Sequence, residues 1–164
     1  MSTQELALGY LRKGWSIIPL PAGSKRAVIR WSAYMHQRPT EDDVVRWFGN
    51  GKSHNMAIIT GRLSGVVILD ADGDEGQRSL AGKELPRTPC VQTDRGTHYY
   101  FKHPGGSVRN FAGRLPGLDF RGDGGYAVLP PSIHPSGRAY EWLISPDDMP
   151  LAEMPAWLNE LVAN

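Results

Sequence analysis

Gly65-Val-Val-Ile-Leu-Asp-Ala-Asp-Gly-Asp74 is the stretch on which the reading of this chain turns. Four apolar residues in a row, at 66–69, predict a strand buried on both faces. Packing alone does not select the acids that end it. Side chains of a strand alternate, so Asp70 and Asp72 point to the same side of the sheet if the extended conformation continues that far. Two carboxylates so placed raise each other's pKa unless a cation lies between them, and a divalent metal is the economical cation. A strand that closes in an Asp-rich turn, with Asp70 capping the helix that follows, accounts for an isolated Asp-x-Asp equally well. The remainder of the chain has to decide.

The chain has 164 residues, enough for one domain with a real core or two small lobes that share one. Acids and bases nearly cancel, to a formal net charge of +1. That balance neither demands nor excludes nucleic acid, which needs a local basic surface rather than a basic whole. The single cysteine, Cys90, excludes an internal disulfide framework and any cysteine-rich zinc site. Polar and acidic first residues do not read as a signal peptide, and no apolar run approaches a membrane span. A soluble protein of the cytoplasm is expected.

Outward from the central stretch, the elements follow from local signals. Ser2-x-x-Glu5 and Thr40-Glu-Asp-Asp43 are capping patterns that open two helices, the first stopped at Gly14 and the second at Gly49 and Gly51. Trp15-Ser-Ile-Ile-Pro-Leu20 reads as a strand, and residues 22–38 read as a loop in which Lys25, Arg26, Arg30 and Arg38 alternate with Trp31 and Tyr34. Such a loop can hold phosphates and stack bases, or simply be solvated with two packing aromatics. Asn55-Met-Ala-Ile-Ile-Thr60 and the central strand are expected to form a hairpin across Gly61-Arg-Leu-Ser-Gly65. Residues 75–85 are moderately helical. Val91-Gln-Thr-Asp94 and Thr97-His-Tyr-Tyr-Phe101 make a second hairpin across Arg95-Gly96. Residues 102–116 read as a loop, Leu118-Asp-Phe120 and Tyr126-Ala-Val-Leu129 as short strands, 139–143 as a last strand, and Pro155-Ala-Trp-Leu158 as the start of a final helix. The order predicts a mixed α/β (α+β) domain built on largely antiparallel sheet.

The polar residues that sit badly with packing form a set. His98 begins an aromatic strand just beyond Arg95-Gly96, and Asp119 lies between Leu118 and Phe120, with Arg121 opening a glycine-rich turn. Singly, His98 reads as a satisfied strand histidine and Asp119 as a salt-bridge partner of Arg121. Together, three strand-end acids suit Mg²⁺ or Mn²⁺ rather than zinc, and the cations and exposed N–H groups suit phosphates. The combination describes phosphoryl or nucleotidyl transfer.

In the order and spacing of its motifs the chain also resembles the primase-polymerase (Prim-Pol) domain of the archaeo-eukaryotic primase superfamily, found in plasmid and phage replication proteins. The motifs are Gly14-Trp-Ser-Ile-Ile-Pro-Leu20, Asn55-Met-Ala-Ile-Ile-Thr-Gly61, Leu69-Asp-Ala-Asp72, Thr93-Asp-Arg-Gly-Thr-His98, Gly117-Leu-Asp-Phe-Arg121, Gly125-Tyr-Ala-Val-Leu-Pro-Pro-Ser132 and Met154-Pro-Ala-Trp-Leu158. The resemblance implies an α/β lobe and a lobe like an RNA-recognition motif, with the catalytic cleft between them. It implies Asp70 and Asp72 as paired metal-binding acids, Asp119 as the third acid, and His98 as the nucleotide-contacting histidine. Arg95, Gly96 and Arg121 flank these motifs as candidates for the triphosphate. Lys25-Arg-Ala27 keeps the lysine of a family Lys-x-Pro and lacks its proline, and one cysteine cannot build the zinc stem of some relatives.

The activity so implied is template-directed nucleotidyl transfer, as a DNA primase, a DNA polymerase or both, by two-metal attack of a 3′-hydroxyl on the α-phosphate of an NTP or dNTP. Template and primer DNA are the expected partners, with a helicase in the same polypeptide or in trans. Residues 1–164 read as one catalytic domain, the N-terminal part of a longer replicase in a bacterial or archaeal host cell. Two other classes stay open. One is a non-catalytic nucleic-acid or nucleotide-binding module. The other follows from the likeness of Asp70-Ala-Asp72-Gly to the first motif of haloacid-dehalogenase phosphatases. Phe101, Tyr99 and Tyr100 are candidates to gate the sugar, with nothing in the sequence to choose among them.

Overall fold

A computed structural model describes residues 1–49, 51 and 54–163. Its elements run α1 (Thr3–Arg12), β1 (Ile17–Pro21), a 3-10 turn (Ser32–Met35), α2 (Glu41–Phe48), β2 (His54–Ile59), β3 (Val66–Asp72) and α3 (Gly73–Leu80). They continue with β4 (Cys90–Gln92), β5 (Gly96–Lys102), β6 (Phe111–Leu115), β7 (Leu118–Arg121), β8 (Tyr126–Leu129), β9 (Glu141–Ile144) and α4 (Ala156–Ala163). The fold is mixed α+β with two antiparallel sheets, three-stranded β1-β2-β8 and six-stranded β6-β7-β3-β5-β4-β9.

The alternation along β3 sorts the core. Val67, Leu69 and Ala71 face a cluster that takes in Leu80 of α3 and Leu158 of α4. Val66 and Ile68 face the opposite way, into a larger cluster shared with β1, β2 and β8 and with Ala7, Tyr10, Val44 and Phe48 of α1 and α2. This second cluster joins the two sheets. Its aromatic part is Trp15, Tyr100 and Trp142 packed round Tyr10, which donates to Pro130 O at 2.7 Å and accepts from Trp142 Nε1 at 2.9 Å. Burial pushes the Tyr10 phenol up to about 12, so it stays a donor.

The helix signals hold at atomic detail. Ser2 Oγ accepts from Glu5 N, and Thr40 with Asp43 closes a reciprocal capping box. Two expectations fail. β2 and β3 do not pair as a hairpin; the turn after β2 meets β3 in an isolated Gly61–Val66 bridge. Both edges of β2 are taken by β1 and β8, and both edges of β3 by β5 and β7, so neither has an edge to offer the other. The connecting turn is pinned instead by Ser64 Oγ, which accepts from Ser16 N and donates to Ile59 O. Within the expected loop at 102–116, residues Phe111–Leu115 form β6 on the edge of β7. The register shifts there around Gly113, whose φ is +68°, which breaks the alternation that would have announced a strand.

The acid strand also depends on a close approach. A Cβ on Gly96, opposite Asp72, would lie 1.9 Å from Ala71 O. Gly96→Ala is therefore expected to cost as much as, or more than, the roughly 1–3 kcal/mol of ordinary overpacking, lowering Tm by about 5 °C or more. Thermal unfolding followed by circular dichroism checks this, and an unchanged melting temperature contradicts it.

Candidate nucleotide and metal site

The face of β3 that carries Val66 and Ile68 into the shared core runs out as Asp70 and Asp72, and both acids line an open cavity of about 640 Å³. The register explains how the other residues arrive. Asp70 pairs with His98 of β5 on one side and Asp119 of β7 on the other, and Ile68 pairs with Arg121, so all of these project from one face of the sheet. Tyr100, two residues beyond His98, lies under them in the core.

Neither acid caps α3. Asp72 occupies the N-cap position but makes no capping hydrogen bond; its Oδ2 instead meets Arg95 at 2.9 Å. Asp70 Oδ2 lies 3.5 Å from His98 Nε2 and 3.7 Å from Arg121. Burial pushes the Asp70 carboxyl up, but His98, Arg121 and Lys25 outweigh it and hold the carboxyl below its usual range, so it is ionised. His98 Nδ1 and Arg121 Nε are buried with no partner among the described residues. Buried polar atoms are seldom left so, and two of them beside one cavity point to a ligand that completes them.

The remaining sequence candidates fall less neatly. Asp119 accepts from Gly113 N at 3.2 Å, does not pair with Arg121 and does not line the cavity. Gly96 N–H is taken by Thr93 Oγ1 at 3.0 Å, so its contribution is the close approach to β3 rather than a donor for phosphate. Tyr100 and Phe101 are fully buried, and Tyr99 packs on the α3 and α4 side; none of the three lines the cavity. Lys25, Arg26 and Trp31, from the loop at 22–38, do line it, as do Asp94, Tyr126, His134 and Tyr140. The basic and aromatic alternation flagged the first three, but nothing in the local pattern of the others did. His134 sits in a proline- and glycine-rich turn that reads only as a turn.

Four cations, Lys25, Arg26, Arg95 and Arg121, and three carboxylates, Asp70, Asp72 and Asp94, therefore share one cavity. Both signs in one place suit a polyanion that arrives with divalent cations: the acids take the metal and the bases take the phosphates. Among the described residues no three His, Cys, Asp or Glu side chains form a ready-made metal cage. An ionised Asp70 with Asp72 nevertheless fits Mg²⁺ or Mn²⁺, which is commonly held by one or two carboxylates together with water and substrate phosphates.

Carboxylates and cations thus meet in one cavity where the face of β3 runs out of the core. Residues 7–157 match the Prim-Pol family, described as bifunctional DNA primase/polymerase, N-terminal, and the chain belongs to that family. No curated protein matches the sequence. Among the described residues no helix is long and apolar enough to cross a membrane.

The Asp70 pairing has a signature in pH. Its depressed pKa contributes stability that is present above the unfolded-chain value of about 3.9 and is lost as pH falls through the folded value. Asp70→Asn is expected to melt a few degrees below wild type at neutral pH, the gap closing in acid. Melting curves across the acid range check this, and a gap that does not change with pH contradicts it.

Proposed function

We propose that this domain catalyses template-directed nucleotidyl transfer in phage or plasmid replication, as a primase, a DNA polymerase or both. The observation that carries the reading is the pair Asp70 and Asp72 opening into a cavity with four cations and with His98 facing Asp70. Asp70 and Asp72 would hold Mg²⁺ or Mn²⁺, with Asp119, on the neighbouring strand, as the third acid after release from its Gly113 contact. When bound, the metal supplies a lowered pKa at the attacking 3′-hydroxyl and charge neutralisation on the departing pyrophosphate.

The protein's own groups do the rest. Arg95 and Arg121, paired to the acids in the absence of substrate, move onto phosphate oxygens when nucleotide brings its cations to the carboxylates. Lys25 and Arg26 add charge from the facing loop. His98 lines the cavity with Nε2 held against Asp70, from where it contacts the triphosphate or its cation shell. Trp31, edge-on to Tyr126 at 5.2 Å, offers an aromatic face at the mouth for a base of nucleotide or template. No side chain acts as a covalent nucleophile. Downstream segments, including a helicase in the same polypeptide or in trans, would deliver the template.

Primer extension on a single-stranded template tests the assignment. Asp70→Ala or Asp72→Ala is expected to lower incorporation by more than the roughly 10–100-fold that loss of an outer-shell partner costs, with the fold intact. Near-normal incorporation by either variant would sink the assignment. His98→Ala is expected to act chiefly by raising the nucleotide KM, so an unchanged KM counts against its role.

A further inference from the structure

One wall of the cavity is not used by this chemistry. Residues 132–140 fold back as a small turn, with an Ile133–Ala139 bridge and with His134 N donating to Arg138 O at 2.8 Å. The base of the turn is fixed to β2. Asn55, itself buried, donates to Ile133 O at 2.7 Å and accepts from Ile133 N at 3.0 Å, and Ser132 Oγ accepts from Met56 N at 2.9 Å. Its tip is tied to the β4–β5 turn, since Ser136 Oγ donates to Asp94 Oδ1 at 2.8 Å and Arg138 donates to Asp94 O at 3.0 Å.

That lattice sets the state of His134. Its Nδ1 accepts the Ser136 backbone N–H at 3.0 Å and lies 2.9 Å from Ser136 Oγ, whose own proton is committed to Asp94. Nδ1 is thus engaged as an acceptor of the Ser136 N–H, which leaves Nε2 as the ring's donor. Asp94 keeps Oδ2 as an acceptor, 3.8 Å from His134 Nδ1. Tyr140 stands between the two histidines, its ring 6.1 Å from His134 and 6.4 Å from His98. Burial, then the charges of Asp70 and Asp94, push its phenol up to about 12, so it too remains a donor.

We propose that His134, Asp94 and Tyr140 are the sugar end of the nucleotide site, a donor and acceptor set that recognises a ribose hydroxyl. The proposal rests on the nucleotide reading given above. A carboxylate repels phosphate, and a carboxylate beside a ring N–H donor suits a hydroxyl, which both donates and accepts. The order along the wall agrees: His98 and Asp70 at the phosphate end, then Tyr140, then His134 and Asp94. In a nucleotide the sugar is the group next to the phosphates. The aromatic residue that faces the sugar is thus Tyr140, not Tyr99, Tyr100 or Phe101 of β5.

Equilibrium binding to the full chain in Mg²⁺ tests this, using NTP, dNTP and ddNTP of one base, with tripolyphosphate as the sugar-free probe. Wild type is expected to favour the sugar with hydroxyls over ddNTP by about tenfold, the most that one net hydrogen bond commonly supplies. His134→Ala is expected to compress that spread to about twofold or less while tripolyphosphate affinity stays at the wild-type level. Asp94→Asn, which keeps an acceptor for Ser136 and loses the charge, should compress it as well. Melting curves establish that both variants are folded. A wild type without any spread, an unchanged spread in both folded variants, or a parallel loss of tripolyphosphate affinity overturns the sugar assignment. Wild-type protein that binds neither nucleotide nor tripolyphosphate overturns the nucleotide reading itself.

Discussion

A strand buried on both faces has to put its polar end somewhere, and β3 puts it at the edge of the core that joins the two sheets. Every second residue from Val66 faces that shared core, and the same periodicity delivers Asp70 and Asp72 where the core stops. An ionised carboxylate so placed needs compensation, because burial without partners would neutralise it. The strand neighbours provide it: β5 lays His98 beside Asp70, and β7 brings Arg121 within 3.7 Å. The backbone ladder thus fixes the electrostatics. A one-residue slip of β3 would turn both acids into the cluster under α3 and α4 and dismantle the site.

The compensation is provisional, which is what a binding site requires. Arg95 is largely exposed and Arg121 only partly so, so Arg95 exchanges a carboxylate for a phosphate at the lower desolvation cost. His98 Nδ1 and Arg121 Nε are buried without a partner among the described residues. The walls differ in chemistry: acids and bases at the β3 end, and a histidine and a phenol on the 132–140 turn beside Asp94 at the other. A ligand with a polyanionic end and a polyol middle matches that gradient.

Much of this was legible in the sequence, for physical reasons that can be named. The run at 66–69 followed by Asp70-x-Asp72 shows burial and alternation in one line, and the β4–β5 hairpin was marked by its flanking aromatics and Arg95-Gly96. Hidden were the features that depend on which edges are already occupied. Local turn chemistry favoured a β2–β3 hairpin, but edge pairing with β1, β8, β5 and β7 overrode it. The edge strand β6 was masked by its bulge at Gly113. Lys25-Arg-Ala27 lacks the proline of the family pattern, yet its loop reaches the cavity and the Lys25 charge acts on Asp70. His134 and Tyr140 could not be found from local pattern, because the 132–140 turn is brought to the cavity by tertiary contacts at Asn55 of β2 and Asp94 of the β4–β5 turn.

In the proposed reaction Asp70 and Asp72 serve attack at an α-phosphate with pyrophosphate as the leaving group. The fate of the phosphates reports on that directly. When the wild-type chain turns over dNTP on a primed single-stranded template with Mg²⁺ or Mn²⁺, pyrophosphate is predicted to appear in equal amount to the dNMP joined to the primer. Release of orthophosphate, or binding of nucleotide with no dNMP joined under any of these conditions, would contradict it.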